Sequence, residues 1–147
     1  MSIAQSATAA PSFRIPAVNR PAAIAGSIAV AVAANLVVWL LGLAAGGSFE
    51  VTKAGQVTEV GAGTVILSSA LPLFVGLTVA ALLSYKWVGV LRVAQIAGAV
   101  LAVATIGLTV AADFDTATTV SLSVMHLVLA PVIVGGLAAL RNGLLER

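Results

Sequence analysis

IAGSIAVAVAANLVVWLLGL, residues Ile24–Leu43, holds no Asp, Glu, Lys or Arg. Its about 20 residues are the length a helix rising ~1.5 Å per residue needs to cross a ~30 Å hydrocarbon core. Outward from it lie three more stretches of the same kind, Thr64–Ser84, Val93–Ala112 and Ser121–Leu140, and every charged residue of the chain falls outside all four. At 147 residues, 61% hydrophobic, 8% charged and a mean hydropathy of +1.15, a soluble domain could not cover its own apolar surface. The reading is an all-α membrane protein, a four-transmembrane-helix bundle with spans at about 24–43, 64–84, 93–112 and 121–140. Residues 1–20, rich in Ala, Ser and Pro, read as a flexible cytoplasmic tail, and residues 21–147 as the transmembrane domain.

Charge position orients the bundle. With loops assigned alternately to the two sides, Arg14, Arg20, Lys86, Arg92, Arg141 and Arg147 fall on one side and Lys53 on the other, which also carries Glu50, Glu59, Asp113 and Asp115. Basic residues favour the cytoplasmic side, so a multi-pass plasma-membrane protein with both termini cytoplasmic is expected. Tyr85 and Trp87 would then sit at the inner headgroup layer. A cleaved signal peptide competes for the first span, but a signal's apolar core runs roughly 7–15 residues and this run is longer.

Composition also excludes chemistry. With no cysteine there is no disulfide, thiolate metal site or cysteine nucleophile, and one His, His126, cannot build a multi-histidine metal or haem site. No cofactor or metal is expected. The basic pI of about 9.7 rests on scattered Lys and Arg without interleaved aromatics, which argues against nucleic acid as a partner. The expected partners are the lipid bilayer and another membrane protein or a second copy.

Ser48–Val60, SFEVTKAGQVTEV, alternates β-branched and polar residues around Ala54-Gly55 and predicts a short outer β-hairpin between helices 1 and 2. A two-residue turn would set Glu50 opposite Glu59, so the expected register has a three-residue turn, Lys53-Ala54-Gly55, pairing Val51 with Val57. The hairpin reads as a lid on the bundle, with a docking edge for a partner strand as the alternative. Thr116, Thr118 and Thr119 in the other outer loop suit an exposed turn.

Helices in lipid associate through small residues and interhelical hydrogen bonds. Candidate small faces are Ser68, Pro72, Gly76, Ala80 and Ser84 in span 2, Ala94, Gly98 and Ala102 in span 3, Gly135 and Ala139 in span 4, and Ala25, Ala29 and Ala33 in span 1, and they predict a tight bundle. Within the spans, Asn35 should face inward, because an unpaired amide in hydrocarbon costs several kcal/mol. His126, Ser68, Ser69, Thr105 and Thr109 share the outer half of the bilayer. Asp113, one turn beyond Thr109, would reach towards His126 if spans 3 and 4 are neighbours. Pro72 and Pro131 each delete a helical hydrogen bond.

Together, NLVVWLLGLAAGGSFEV (Asn35–Val51), the hairpin-like loop and MHLVLAPVIVGGL (Met125–Leu137) resemble a family of small four-span membrane proteins of unknown function from high-GC Gram-positive bacteria. The likeness covers roughly residues 22–141 and is most specific at Met125-His126-Leu127-Val128. Members tend to carry a proline later in the last span, whereas here Pro131 is followed by Gly135-Gly136. The resemblance implies an envelope location and a four-helix fold, and no activity.

The expected function is therefore a non-enzymatic integral membrane protein, an accessory or scaffold component of the cell envelope. The alternative is a small-ligand or lipid binding protein or transporter with an outer-half pocket around His126, drawing on Asn35, Thr105, Thr109, Ser68, Ser69 and Asp113. Catalysis lacks an intramembrane acid, a cysteine or a second histidine to complete a set. A channel lacks a regular polar stripe to replace an ion's hydration shell.

Overall fold

The computed structural model describes residues 15–53 and 55–146. Its elements run α1 (Arg20–Ala44), β1 (Glu50–Lys53), β2 (Gln56–Glu59), α2 (Ala62–Leu83), α3 (Val90–Ala111) and α4 (Thr116–Leu145). All four helices are long and apolar enough to cross a membrane. Most of their large side chains, such as Leu41, Leu67, Ile96, Leu101 and Leu108, face outward, as a lipid-solvated bundle requires. Of the tail expected over 1–20, residues 1–14 lie outside the described residues. Further along, the Val18 amide donates to the Ala139 carbonyl at 3.1 Å, and Asn19 caps α1 by accepting from the Ala22 amide.

α1 packs along both α2 and α4, and α4 along both α1 and α3, while α2 meets α3 and α4 over short stretches only. The buried face of α1 is Ala23, Ser27, Ala31, Asn35 and Gly42, not the expected Ala25, Ala29 and Ala33, which are exposed. The four-residue spacing was right and its phase was two residues off. Asn35 sets the phase, since the face that carries the amide must turn inward and takes Ala31, Ser27 and Ala23 with it. On α4 the close approach is made by Gly136, where a Cβ would collide with Ser27. Gly135 meets nothing within contact distance.

Two apolar clusters fill the interior. One, near the basic end, holds Ala31, Leu73, Leu77, Leu91, Leu137 and Leu140; the other, near the hairpin, holds Phe49, Val65 and Met125 with Trp39 against them. Between the two lies one buried polar contact, Asn35 to Ser69.

The hairpin forms where the sequence placed it, but in the other register. Glu50 pairs with Glu59, Val51 with Thr58 and Thr52 with Val57, leaving a two-residue turn with Gly55 at φ +77°. The expected Val51–Val57 pairing is corrected because the base of the hairpin overrules its tip. The Val60 amide donates to the Phe49 carbonyl at 2.7 Å, and the Trp39 indole donates to the Val60 carbonyl at 3.0 Å, which fixes the count from below. Glu50 and Glu59 are both exposed, so their repulsion is largely screened. Ala54 lies outside the described residues.

Phe49 anchors the hairpin. It is 1% exposed, meets Trp39 edge-on with ring centroids 6.2 Å apart, and adopts φ +54°. That conformation costs a non-glycine residue about 1–2 kcal/mol, offset here by ring burial and by the Phe49 amide donating to Thr118 Oγ1 at 2.9 Å. Asp115 completes the latch, accepting from the Ser48 amide (3.0 Å), the Ser48 hydroxyl (2.8 Å), the Thr118 amide and the Thr118 hydroxyl. Thr118 is thus fully buried, contrary to the exposed turn expected of it.

Candidate functional site

Because α2 and α3 barely touch, the bundle is not tight throughout. A cavity of about 510 Å³ lies between α2, α3 and α4, within the range of small-molecule sites. The small residues of the span 2 ladder line it: Ser68, Pro72 and Gly76 face the void, and only Ala80 and Ser84, nearer the basic end, are buried in helix contact. Gly98 of α3 also lines the cavity and packs against Ile133 of α4, closing the far wall.

The lining is polarised along its length. Ser68 and Ser69 of α2, Thr105 of α3 and His126 of α4 occupy the end towards the hairpin. Leu77, Ala94 and Leu137 occupy the end towards the basic residues. From Ser68 to Leu77 the helix rises ~13 Å. Among the described residues no Asp, Glu, Lys or Arg lines the cavity.

The polar groups differ in what they can offer. His126 Nδ1 lies 2.7 Å from the Leu122 carbonyl, which can only accept; this assigns a proton to Nδ1, and in the tautomer that carries only that proton Nε2 is an acceptor. Ser68 and Thr105 donate to the Val65 and Leu101 carbonyls of their own helices, so their oxygens also present lone pairs. Ser69 Oγ accepts from Asn35 Nδ2 at 2.9 Å, with the two residues 3% and 2% exposed. Pro72, lacking an amide hydrogen, leaves the Ser68 carbonyl without its helical partner at the same end. Asn35 thus reaches the cavity only through Ser69, and its own Oδ1 has no partner among the described residues.

Of the seven residues expected to form a site, the structure brings Ser68, Ser69, Thr105 and His126 to one cavity and ties Asn35 to it. Thr109 is buried and donates to the Thr105 carbonyl, off the lining. Asp113 is exposed beyond the end of α3; although α3 and α4 are neighbours, no hydrogen bond or ion pair joins it to His126 among the described residues. Sequence reasoning missed Gln95, whose Nε2 donates to the Val134 carbonyl at 2.9 Å across the α3–α4 seam. Its signal was available, as an amide near the start of span 3 must find a partner. Among the described residues no three His, Asp or Glu side chains gather as a metal site.

A family model described as "Family of unknown function (DUF6069)" matches residues 14–142. No curated protein and no solved structure matches the chain.

Proposed function

We propose, for a chain that belongs to this family of unknown function, a role read from its own cavity: a non-enzymatic membrane protein that binds a neutral, elongated amphiphile. The observation that carries the reading is the polarity gradient of the void, with hydrogen-bonding groups at the hairpin end and aliphatic walls beyond. A ligand with a small donor-bearing head and an apolar tail matches it, its hydroxyl facing His126 Nε2 and Ser68 and its tail running past Gly76 and Gly98. Charged heads are disfavoured, since a lone charge without a counter-ion in this setting is costly. The arrangement of basic residues supports a plasma-membrane protein with the hairpin outside and the cavity's polar end in the outer leaflet.

The test is binding of a monoacylglycerol, followed by native mass spectrometry of the protein in mild detergent. Gly76→Phe, which fills the cavity from a position with no close neighbour, and His126→Ala should both abolish the bound adduct while folded yield is retained. Retention of the adduct in both variants rejects the reading. Loss of folding in His126→Ala with normal binding capacity in Gly76→Phe means that the polar groups only hold the helices together.

A second reading, an accessory subunit, is favoured by one observation. Ser68, Pro72 and Gly76 form an exposed row of small residues on α2, a surface on which a partner's helix can pack closely. It predicts a reproducible protein partner on purification, and a monomer without one counts against it.

A further inference from the structure

A second concave surface lies on the opposite side of α2, against α1, at the basic end. Arg20 and Tyr85 stand at its mouth; Ile24 and Ile28 of α1 form one wall, and Leu82 and Phe74 of α2 the other. Its volume is about 530 Å³. From Arg20 to Ile28 the helix rises ~12 Å, so the groove runs from the headgroup level well into the hydrocarbon.

The mouth is built and not merely basic. The Arg20 guanidinium stacks over the Tyr85 ring at 3.7 Å. Its Nε donates to the Ala81 carbonyl at 3.2 Å and to Ser84 Oγ, and Nη2 also donates to Ser84 Oγ at 3.2 Å. Ser84 in turn donates to the Ala81 carbonyl at 2.7 Å, so it can only accept from the arginine. The cation is therefore held in one orientation by neutral acceptors and an aromatic face. No carboxylate bonds it among the described residues, and Nη1 makes no hydrogen bond there. Deeper along the groove Thr78 forms part of the wall, its hydroxyl enclosed by protein atoms and without a hydrogen-bond partner among the described residues.

We infer that this groove binds an acidic phospholipid, with its phosphate on Arg20 and one acyl chain between α1 and α2. Two features agree on that occupant. A fixed, uncompensated guanidinium presents planar N–H donors to phosphate oxygens. An apolar groove walled by Ile24, Ile28, Phe74 and Leu82 begins directly beneath it. A zwitterionic choline head would bring a second cation to a mouth where Arg20 already stands and where Lys86 follows Tyr85 in the chain, so the anionic lipid is preferred. The site is separate from the cavity between α2 and α3 and does not depend on its function.

The experiment uses the full chain in nanodiscs of phosphatidylcholine doped with phosphatidylglycerol, with lipids retained after detergent exchange quantified by mass spectrometry. Wild type should retain phosphatidylglycerol in preference to phosphatidylcholine. Arg20→Gln should lower that retention about tenfold, the loss expected for one charge-assisted contact. Ala25→Phe, which fills the groove from an exposed position and keeps every Arg20 hydrogen bond, should do the same. Arg92→Gln, at the same end but outside the groove, should leave retention unchanged, and inorganic phosphate should not displace the lipid. The inference is overturned if Arg92→Gln and Arg20→Gln lose equally, if Ala25→Phe retains the lipid, or if phosphate alone competes it off. Should Arg20→Gln fail to fold, Ala25→Phe against Arg92→Gln still decides.

Discussion

Asn35 Nδ2 donates to Ser69 Oγ at 2.9 Å, joining α1 to α2 at the boundary between the two apolar clusters. Interhelical hydrogen bonds in membranes average about 0.6 kcal/mol and reach about 1.7 kcal/mol. A double-mutant cycle with Asn35→Leu and Ser69→Ala should give a coupling within that range, read as detergent or steric-trap unfolding. Ser69→Ala alone should cost more than the double variant, because it strands the amide in hydrocarbon.

The glycines of α1 and α4 should separate by position. A Cβ on Gly42 would collide with Ser121 and the Phe49 ring, and one on Gly143 with the Val18 backbone, whereas Gly135 has open space. Gly42→Ala and Gly143→Ala should destabilise by about 1–3 kcal/mol. Gly135→Ala should be neutral or stabilising by up to about 1 kcal/mol, since alanine is the better helix former. Thermal unfolding of the three variants side by side checks this.

The hairpin register can be read by cross-linking, because the chain has no cysteine of its own. Thr52 and Val57 face each other next to a hydrogen-bonded pair, at the non-hydrogen-bonded spacing that suits a disulfide. Thr52→Cys with Val57→Cys should oxidise readily, and Val51→Cys with Val57→Cys poorly. The reverse order would restore the three-residue turn.

Asp115 is held well below the usual carboxylate range, first by the Thr118 hydroxyl, then by the Thr118 amide and by Ser48. A depressed pKa means that the stabilising contribution is present above the unfolded value, about 3.9, and lost as pH falls through the folded one. Hairpin docking should therefore be constant from pH 5 to 8 and loosen only in strong acid, with near-ultraviolet circular dichroism of the Trp39–Phe49 pair as the readout. Asp115→Ala should show the loosened signal at every pH. Thr118→Val should destabilise by about 1–3 kcal/mol, as it leaves the buried Phe49 amide without an acceptor.

Much of this architecture could be read in the chain because the rules involved are local. Freedom from charge over a bilayer's width gave the four helices, and β-branched alternation about Ala54-Gly55 gave the hairpin. Misreadings arose where a distant partner decides. Ala25, Ala29 and Ala33 look as good a seam as Ala23, Ser27 and Ala31, and only Asn35 on the second set discriminates between them. Likewise Gly135 and Gly136 are adjacent letters, and the choice belongs to Ser27 across the interface. Asp115 three residues before Thr118 was a legible helix cap, but its second duty depends on Ser48, 67 residues away. The cavity was legible in its polar residues, not in its emptiness, because the same ladder of small side chains serves equally to close a gap or to line one.

The short meeting of α2 with α3 has a further consequence. Pro72 and Gly76 are exposed at the cavity's edge midway along α2, so the doorway opens sideways into the acyl chains and not towards water. On the proposed function, a guest entering there would not cross an aqueous phase, and its occupancy would follow its mole fraction in the bilayer. Titration should then saturate at a fixed lipid-to-protein composition whatever the bulk volume, a dilution test that a water-facing pocket would fail.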